Sequence, residues 1–344
     1  MSNAVALPQR SAVDLKGAAD LLRRFDRILV VSHQRPDGDC LGSTIGLLRV
    51  LRALGKKVAA YNATPLTAKW DFLEGIGDVH NALPDWQPEM TVFVDCGSVV
   101  RVHDQFVPVG TVLNIDHHLT NECFGDFNWI DVPACAVGEQ VHDLAVELGV
   151  PIDKPIAAAL FLSILTDTGG FRFSNTSARA LRIAGELVAA GAEPGTTSQA
   201  VYENRSRGEI TLSGIAMQSI RYEFGGRLAW SELRWSDYEQ VGGQEAEPEG
   251  LVSEIRSVEG VEVSCLLHET KEGNLRAGFR GKGRVDCSAI AVQCGGGGHF
   301  NASGANLKTL GYEEAKAKVL SVLRAELAKV MSGEGKFFKE TARQ

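Results

Sequence analysis

The first part of the chain repeats one pattern: a short apolar run, a polar turn, then a helical stretch. Ile28-Leu29-Val30-Val31, Val58-Ala59-Ala60-Tyr61, Thr91-Val92-Phe93-Val94 and Val112-Leu113-Asn114-Ile115 are apolar almost throughout. A strand with one wet face alternates polar and apolar side chains. Strands that do not alternate are covered on both faces, as in a parallel sheet inside other layers. Between the first two runs, Leu47, Val50, Leu51 and Leu54 follow i, i+3, i+4, i+7 spacing, and Gly55 supplies a stop. Ala157, Leu160, Phe161 and Ile164 repeat that spacing, and Ala180, Ala184, Leu187 and Val188 follow it more loosely. This βαβ rhythm predicts an α/β fold with a doubly wound parallel sheet.

The rhythm stops between Gly191 and Thr197, where Gly, Pro and Thr cluster. A helical stretch from Ser198 to Ile220 follows as a bridge. Beyond it, Arg227–Leu233, Val261–Leu267 and Asn274–Arg280 read as half-buried strands, and a helix runs from Tyr312 to Val330. The expectation is a first domain over residues 1–195, a helical linker over 196–220, a smaller α+β domain over 221–334 and a frayed tail over 335–344. The acidic, Gly- and Pro-bearing segment from Gly242 to Gly250 reads as an exposed loop. A length of 344 residues agrees with this division, since domains average about 150 residues.

Composition narrows the chemistry. The formal charge is −8, from 35 Lys and Arg against 43 Asp and Glu, with 44% hydrophobic residues. That is ordinary for a soluble globular chain and argues against one that coats long duplex nucleic acid, which needs a broad basic surface. A short phosphorylated substrate in a local pocket stays compatible. The cysteines (Cys40, Cys96, Cys123, Cys135, Cys265, Cys287, Cys294) are odd in number and scattered, with no C-x-x-C pair. Reduced thiols in the cytoplasm fit this pattern better than a disulfide frame or a zinc-thiolate site. No stretch reads as a leader or a membrane span.

Four short segments carry the chemistry. His33, Asp37 and Asp39 lie on a Pro/Gly loop directly after the Ile28–Val31 run. Asp95 directly follows Val94, and Asp116-His117-His118 directly follows Ile115. Asp167 comes after the apolar Ala157–Ile164 helix. In an open parallel sheet the loops at the strands' carboxyl ends converge on one crevice. Any one of these residues alone fits a cap, a turn or a surface acid. Together they concentrate carboxylates that would repel unless positive charge lay between them. Divalent ions supply that charge, and a carboxylate–imidazole set suits Mn²⁺, Mg²⁺, Fe²⁺ or Co²⁺. The set is too large for one ion and fits two that share a carboxylate.

The order His33-x-x-x-Asp37-Gly-Asp39, Asp95, Asp116-His117-His118, Asp167 resembles the DHH phosphoesterase superfamily. The resemblance implies that His33, Asp37 and Asp95 hold one ion. It implies that Asp39, Asp95, His117 and Asp167 hold the other, with Asp95 bridging and Mn²⁺ the expected metal. His118 would face the substrate phosphate, and Asp116 would orient a histidine.

Far downstream stands Gly295-Gly296-Gly297-Gly298-His299-Phe-Asn-Ala-Ser303-Gly304. Consecutive glycines free the backbone to turn N–H groups toward an anion, and His299 adds a side-chain donor. Upstream, Arg280, Lys282 and Arg284 form a basic run suited to phosphate. A flexible hinge beside a solvated basic strand is the plainer alternative, and the histidine with its small-residue follow-on argues against it. The segment resembles the DHHA1 substrate-binding domain, which implies a mixed sheet and a nucleotide contacted by Arg280, Gly296, Gly297, Gly298 and His299. Here Gly278-Phe279-Arg280-Gly281 stands where a serine-rich stretch is common, and Ser303 stands where alanine is usual.

The resemblance covers nearly the whole chain, and the expectation is that no sensory or membrane segment precedes it and no added domain follows it. It is most similar to the branch that cleaves short oligoribonucleotides to 5′-mononucleotides and converts pAp to AMP. The implied reaction is hydrolysis by a hydroxide bridging two ions, in a cleft between the domains, with His118, His299 and Arg280 neutralising the phosphate. Two alternatives are kept: a cyclic or linear dinucleotide phosphodiesterase of the same family, and a non-enzymatic nucleotide sensor. A homodimer is implied by resemblance only.

Overall fold

The apolar runs form strands because each buries both faces of its backbone. In the computed structural model, which describes residues 10–103, 105–242 and 250–333, the chain divides into two units between Asn204 and Arg205. The first contains β1 (Ser11–Ala12), α1 (Leu15–Arg24), β2 (Arg27–Val31), α2 (Gly38–Ala53), β3 (Lys57–Tyr61), β4 (Val79–His80), β5 (Met90–Val94), β6 (Thr111–Asp116) and β7 (Phe127–Ile130). It continues through α3 (Val137–Glu147), α4 (Lys154–Asp167), α5 (Ala178–Ala189) and α6 (Pro194–Tyr202). The strands pair in parallel in the order β1-β7-β6-β5-β2-β3-β4. The chain starts near one edge and reverses direction across the sheet between β2 and β5. The carboxyl ends of those two strands are therefore the topological switch point, where ligands bind in such sheets.

The two faces of this sheet are covered differently. Ile28, Val30, Met90, Val92, Leu113 and Ile115 pack against helices α1 to α5. Leu29, Val31, Tyr61, Phe93 and Val112 face the other way, against Val99, Val102, Phe106 and Phe124 from a single 3-10 turn and loops. Aromatic contacts replace a helix there: Phe106 stacks on Tyr61 at 5.6 Å between centroids and meets Phe93 edge-on at 5.8 Å.

Helix α2 begins nine residues before the periodic leucines. The Asp37 carboxylate caps it by accepting from the Cys40 amide at 3.0 Å. Its early turns carry Gly38, Gly42 and Gly46 on one face, beside the buried apolar residues Leu41, Ile45 and Leu48. A Cβ at Gly42 would overlap the Ala159 carbonyl, at Gly46 the Leu160 side chain and at Gly38 the Thr166 side chain. The stripe thus lets α2 and α4 touch almost backbone to backbone.

The second unit contains α7 (Arg207–Gln218), β8 (Arg221–Glu223), β9 (Leu228–Leu233), α8 (Trp235–Gln240), α9 (Leu251–Ser257), β10 (Val263–Glu269) and β11 (Leu275–Gly281). It ends with α10 (Cys287–Gln293), β12 (Gly297–His299), β13 (Ala302–Leu307) and α11 (Tyr312–Met331). Its sheet runs β12-β13-β11-β10-β9-β8, with β9 and β10 parallel and the other pairs antiparallel. One face packs Trp230, Val263, Cys265 and Phe279 on α10 and α11, and the other packs Ala229, Leu233 and Leu266 on α7 to α9.

The bridge read as one helical stretch is two helices. Ser206 and Glu209 form a capping box at the start of α7, with the Glu209 amide donating to Ser206 Oγ at 3.1 Å and the Ser206 amide to Glu209 Oε2 at 2.5 Å. That box starts a new helix and separates α6 from α7. Most of the segment read as an acidic loop (243–249) and the tail from residue 334 lie outside the described residues. Among the described residues no helix is long and apolar enough to cross a membrane.

Candidate functional site

At the switch point, His33 lies two residues past β2 and Asp95 one residue past β5. Asp116 closes β6, and His117 and His118 follow it. Asp39 stands in the first turn of α2 and Asp167 ends α4. The glycine stripe brings those two helices together, so both carboxylates arrive at the same edge. His117 Nε2 is 3.5 Å from Asp39, 3.7 Å from Asp167 and 3.8 Å from Asp95. His33 Nε2 is 3.3 Å from Asp95 and 3.9 Å from Asp37. His118 Nδ1 is 2.7 Å from Asp116 and 3.6 Å from Asp95. All eight of these side chains meet in the first unit.

His33, Asp39, Asp116, His117 and His118 are fixed by partners on another element or at their own strand end. The Ala134 carbonyl lies 3.0 Å from His117 Nδ1, and the Gln34 carbonyl 2.9 Å from His33 Nδ1, so both Nε2 atoms are turned to the carboxylates. Asn121 Nδ2 donates to Asp116 at 2.5 Å while Asp116 holds His118. Asp39 accepts from the Val137 amide at 3.0 Å and from Ser163 Oγ at 2.5 Å. Because Ala136 offers no side-chain cap to α3, Asp39 caps that helix from outside while keeping an oxygen toward His117. Asp95 adopts φ +53°, in the left-handed region, with its amide donating to the Ile115 carbonyl at 3.1 Å. That backbone costs on the order of 1 kcal/mol for a residue with a Cβ.

The electrostatics follow from crowding. Burial and then the neighbouring charge of Asp39 push the Asp95 carboxyl well above its usual range. Burial also raises Asp39, against the pull of His117. Burial works against the charged form of His117, but Asp167, Asp39 and Asp95 override it and push its pKa up to about 10. Asp116 is held low despite burial, because His118 faces it. The cluster is thus a buried surplus of negative charge that retains protons when nothing else neutralises it.

Within the first unit, ligand-type atoms cluster in three groups within 4.8 Å: Asp39, His117 and Asp167; His33, Cys40 and Asp95; and Asp95, Asp116, His117 and His118. Cys40 is a member the sequence reading left out; its only signal was its place directly after Asp39. Asn121, Ser163 and Asn62, which donates to the His33 carbonyl at 2.8 Å, were also missed. Polar residues that position others carry no spacing signature.

The remaining residues singled out from sequence lie in the second unit. Gly297–His299 form the edge strand β12, paired antiparallel with β13. Gly298 has φ +136°, and a Cβ there would crowd the Ala302 carbonyl at 2.7 Å. A Cβ at Gly296 would overlap the Gly304 carbonyl, whereas one at Gly297 meets nothing within 4 Å. Arg280 lies opposite Ala302, which lies opposite His299, so both side chains share one row across three strands. The neighbouring row is Gly278, Gly304 and Gly297, without side chains. The rest of the basic run is committed elsewhere: Lys282 donates to the Val258 carbonyl and Arg284 pairs with Glu262 at 2.8 Å.

A sheet with acid and histidine side chains at its switch point, followed by a mixed sheet with a glycine-histidine edge, is the DHH/DHHA1 arrangement. Residues 27–164 match the DHH family, N-terminal domain, and residues 238–329 match the DHHA1 domain. The chain belongs to the DHH family. It is 36% identical over 304 residues to the bifunctional oligoribonuclease and PAP phosphatase NrnA of Thermus thermophilus, covering 88% of this chain and 90% of that one. It is 28% identical to the protein of the same name from Bacillus subtilis, over 82% of this chain and 90% of that one. The fold matches that of an exopolyphosphatase-related protein from Bacteroides fragilis with a TM-score of 0.82 and 24% identity, covering 96% of this chain and 100% of that one.

Proposed function

We propose that the chain is a two-metal phosphoesterase that cleaves short oligoribonucleotides to 5′-mononucleotides and removes a phosphate from pAp to leave AMP. The observation that carries this reading is the convergence of Asp39, Asp95 and Asp167 with His33 and His117 at the switch point, with Asp37 at the exposed rim 3.9 Å from His33. The donor set fits divalent ions. Its atoms are hard oxygens and borderline nitrogens, and the imidazole–carboxylate spacings of 3.3–3.9 Å exceed hydrogen bonds. Two ligands about 2.1 Å from one ion stand roughly 3 Å apart, close to these spacings.

His33, Asp37 and Asp95 would hold one ion, and Asp39, Asp95, His117 and Asp167 the other, with Mn²⁺ the leading choice. Such ions would supply charge that acidifies water and neutralises a phosphate. The chain's own part is orientation. His117 and His33 present Nε2 because a carbonyl fixes each Nδ1. Asp116 accepts a hydrogen bond from the Nδ1–H of His118 and so directs Nε2 to the substrate, where a gained proton would be stabilised by Asp116. In the second unit, Arg280 and His299 would contact the nucleotide's phosphate, with Gly296 to Gly298 admitting it close to the backbone. The domain reading (catalytic over 1–195, substrate-binding over 221–334), a cytoplasmic location and a homodimer belong to the same proposal by resemblance to the family. The identities of the two NrnA proteins support the substrate assignment.

The test is a substrate panel. The purified chain with Mn²⁺ is offered a ribodinucleotide, pAp, cyclic di-AMP and pyrophosphate. Release of mononucleotide and of AMP is expected. A dominant rate on pyrophosphate would move the protein to another branch of the family, and hydrolysis of none of the four would overturn the proposal.

A further inference from the structure

The candidate centre depends on a segment, Asp131 to Val137, that holds none of its proposed ligands. The Asp131 amide donates to the Asp116 carbonyl at 2.9 Å, extending β6 outward. The Ala134 carbonyl fixes His117 Nδ1, and the Val137 amide fixes Asp39. Asn175 Nδ2 ties the Cys135 carbonyl, at 3.1 Å, to the Asp167 carbonyl, at 3.0 Å. This one stretch therefore touches the supports of Asp39, Asp116, His117 and Asp167.

A single guanidinium closes the stretch. Arg179, at the start of α5, lies with Nη1 3.0 Å from Asp131 at one end of the segment and 3.2 Å from Glu139 just beyond the other. Its Nη2 is 2.6 Å from Asp143, one turn further along α3. His142 faces the same group, with Nδ1 3.2 Å from Asp143 and Nε2 3.1 Å from Glu186. Glu139 is fully buried. Without Arg179, three carboxylates would face one another across the segment's ends, one of them without water. Lysine keeps the charge there but cannot span two carboxylates with a planar fork.

We propose that Arg179 is a positioning residue for the metal centre: it clips the Asp131–Val137 segment so that Ala134 and Val137 hold His117 and Asp39 in their binding poses. This rests on the metal-centre reading above. Supports of this kind change metal affinity about 10–100-fold when lost, without being ligands themselves.

The experiment is direct Mn²⁺ binding to the full chain, by calorimetry and by the free-ion paramagnetic signal, for wild type, Arg179→Lys and Arg179→Gln. Arg52→Gln serves as a control, since Arg52 forms a 2.6 Å pair with Asp78 away from the centre. The expected result is Mn²⁺ affinity about tenfold weaker or more in Arg179→Lys, with the melting temperature of the metal-free chain and the dinucleotide KM at saturating metal close to wild type. If Arg179→Gln does not fold, the lysine variant still decides the matter. Unchanged Mn²⁺ affinity in a folded Arg179→Lys chain overturns the positioning role alone. Absence of Mn²⁺ binding by wild type overturns the metal centre itself, which separates the two failures.

Discussion

In the first unit the candidate centre is built from side chains, several of them pinned by a group outside themselves: His117 by Ala134, His118 by Asp116, Asp39 by Val137 and Ser163. In the second unit the corresponding edge is built by leaving side chains out. Gly296 and Gly298 let β12 approach β13, and a glycine row lies beside Arg280 and His299. One edge concentrates charge and the other clears space. The first should therefore answer to changes of charge at constant shape, and the second to changes of reach at constant charge.

The largest effect is expected at Asp95. Asp95→Asn keeps shape and removes the charge that both proposed ions share, so turnover of a ribodinucleotide should fall by about 10³-fold or more. A loss under tenfold would break the contrast at its strongest point. Next come His118→Ala and Asp116→Asn, each expected to cost about 10²-fold in kcat. Because the two act as one unit, the double variant should lose little more than either single, and additive losses would separate them. In the second unit, Arg280→Lys keeps charge and changes reach. It should raise KM about tenfold with kcat and Mn²⁺ affinity unchanged, since a bidentate phosphate contact is lost. A fall in Mn²⁺ affinity would show that the units do not divide the work this way.

The smallest effect is a pH trend in stability. The His117 pKa, raised to about 10, lets the folded metal-free chain keep a proton that the unfolded chain releases near 6.5. That contribution is complete below pH 6.5 and is lost as pH rises toward 10. Asp39 and Asp95, raised by burial, act with the same sign above the usual carboxylate range. Denaturant melts of the metal-free chain across this window should therefore show stability falling as pH rises, and saturating Mn²⁺ should flatten the slope. A metal-free stability that climbs with pH would contradict the crowding described at the switch point.

Much of the first unit was legible because burial on both faces leaves a continuous apolar run. All four strands read from sequence form, and the acids and histidines at their ends meet. What escaped was structure built from small or positioning residues. The first turns of α2 were passed over although Leu41, Ile45 and Leu48 continue the apolar spacing, because Pro36 and Gly38 read as a loop and Gly38, Gly42 and Gly46 are poor helix formers. Strand β12 escaped because a run of glycines has no strand propensity; its pairing comes from β13. Strand β7 was missed as well, although Trp129 and Asn128 are buried in it. Asn121, Ser163 and Arg179 carry no pattern of their own, because their roles depend on partners distant in sequence. In the second unit the longer strands and the last helix were readable, while the pairing that sets Arg280 in line with His299 needed the register.

The glycine stripe on α2 bears on redesign. At Gly42 the α2 backbone meets the Ala159 carbonyl with no side chain between, so the helix separation there is set by van der Waals contact of the main chain. The span between Asp39 and Asp167 therefore depends on this close α2–α4 approach. It has no slack at Gly38, Gly42 or Gly46, where a single added methyl would act as a spacer between the helices that carry those two carboxylates.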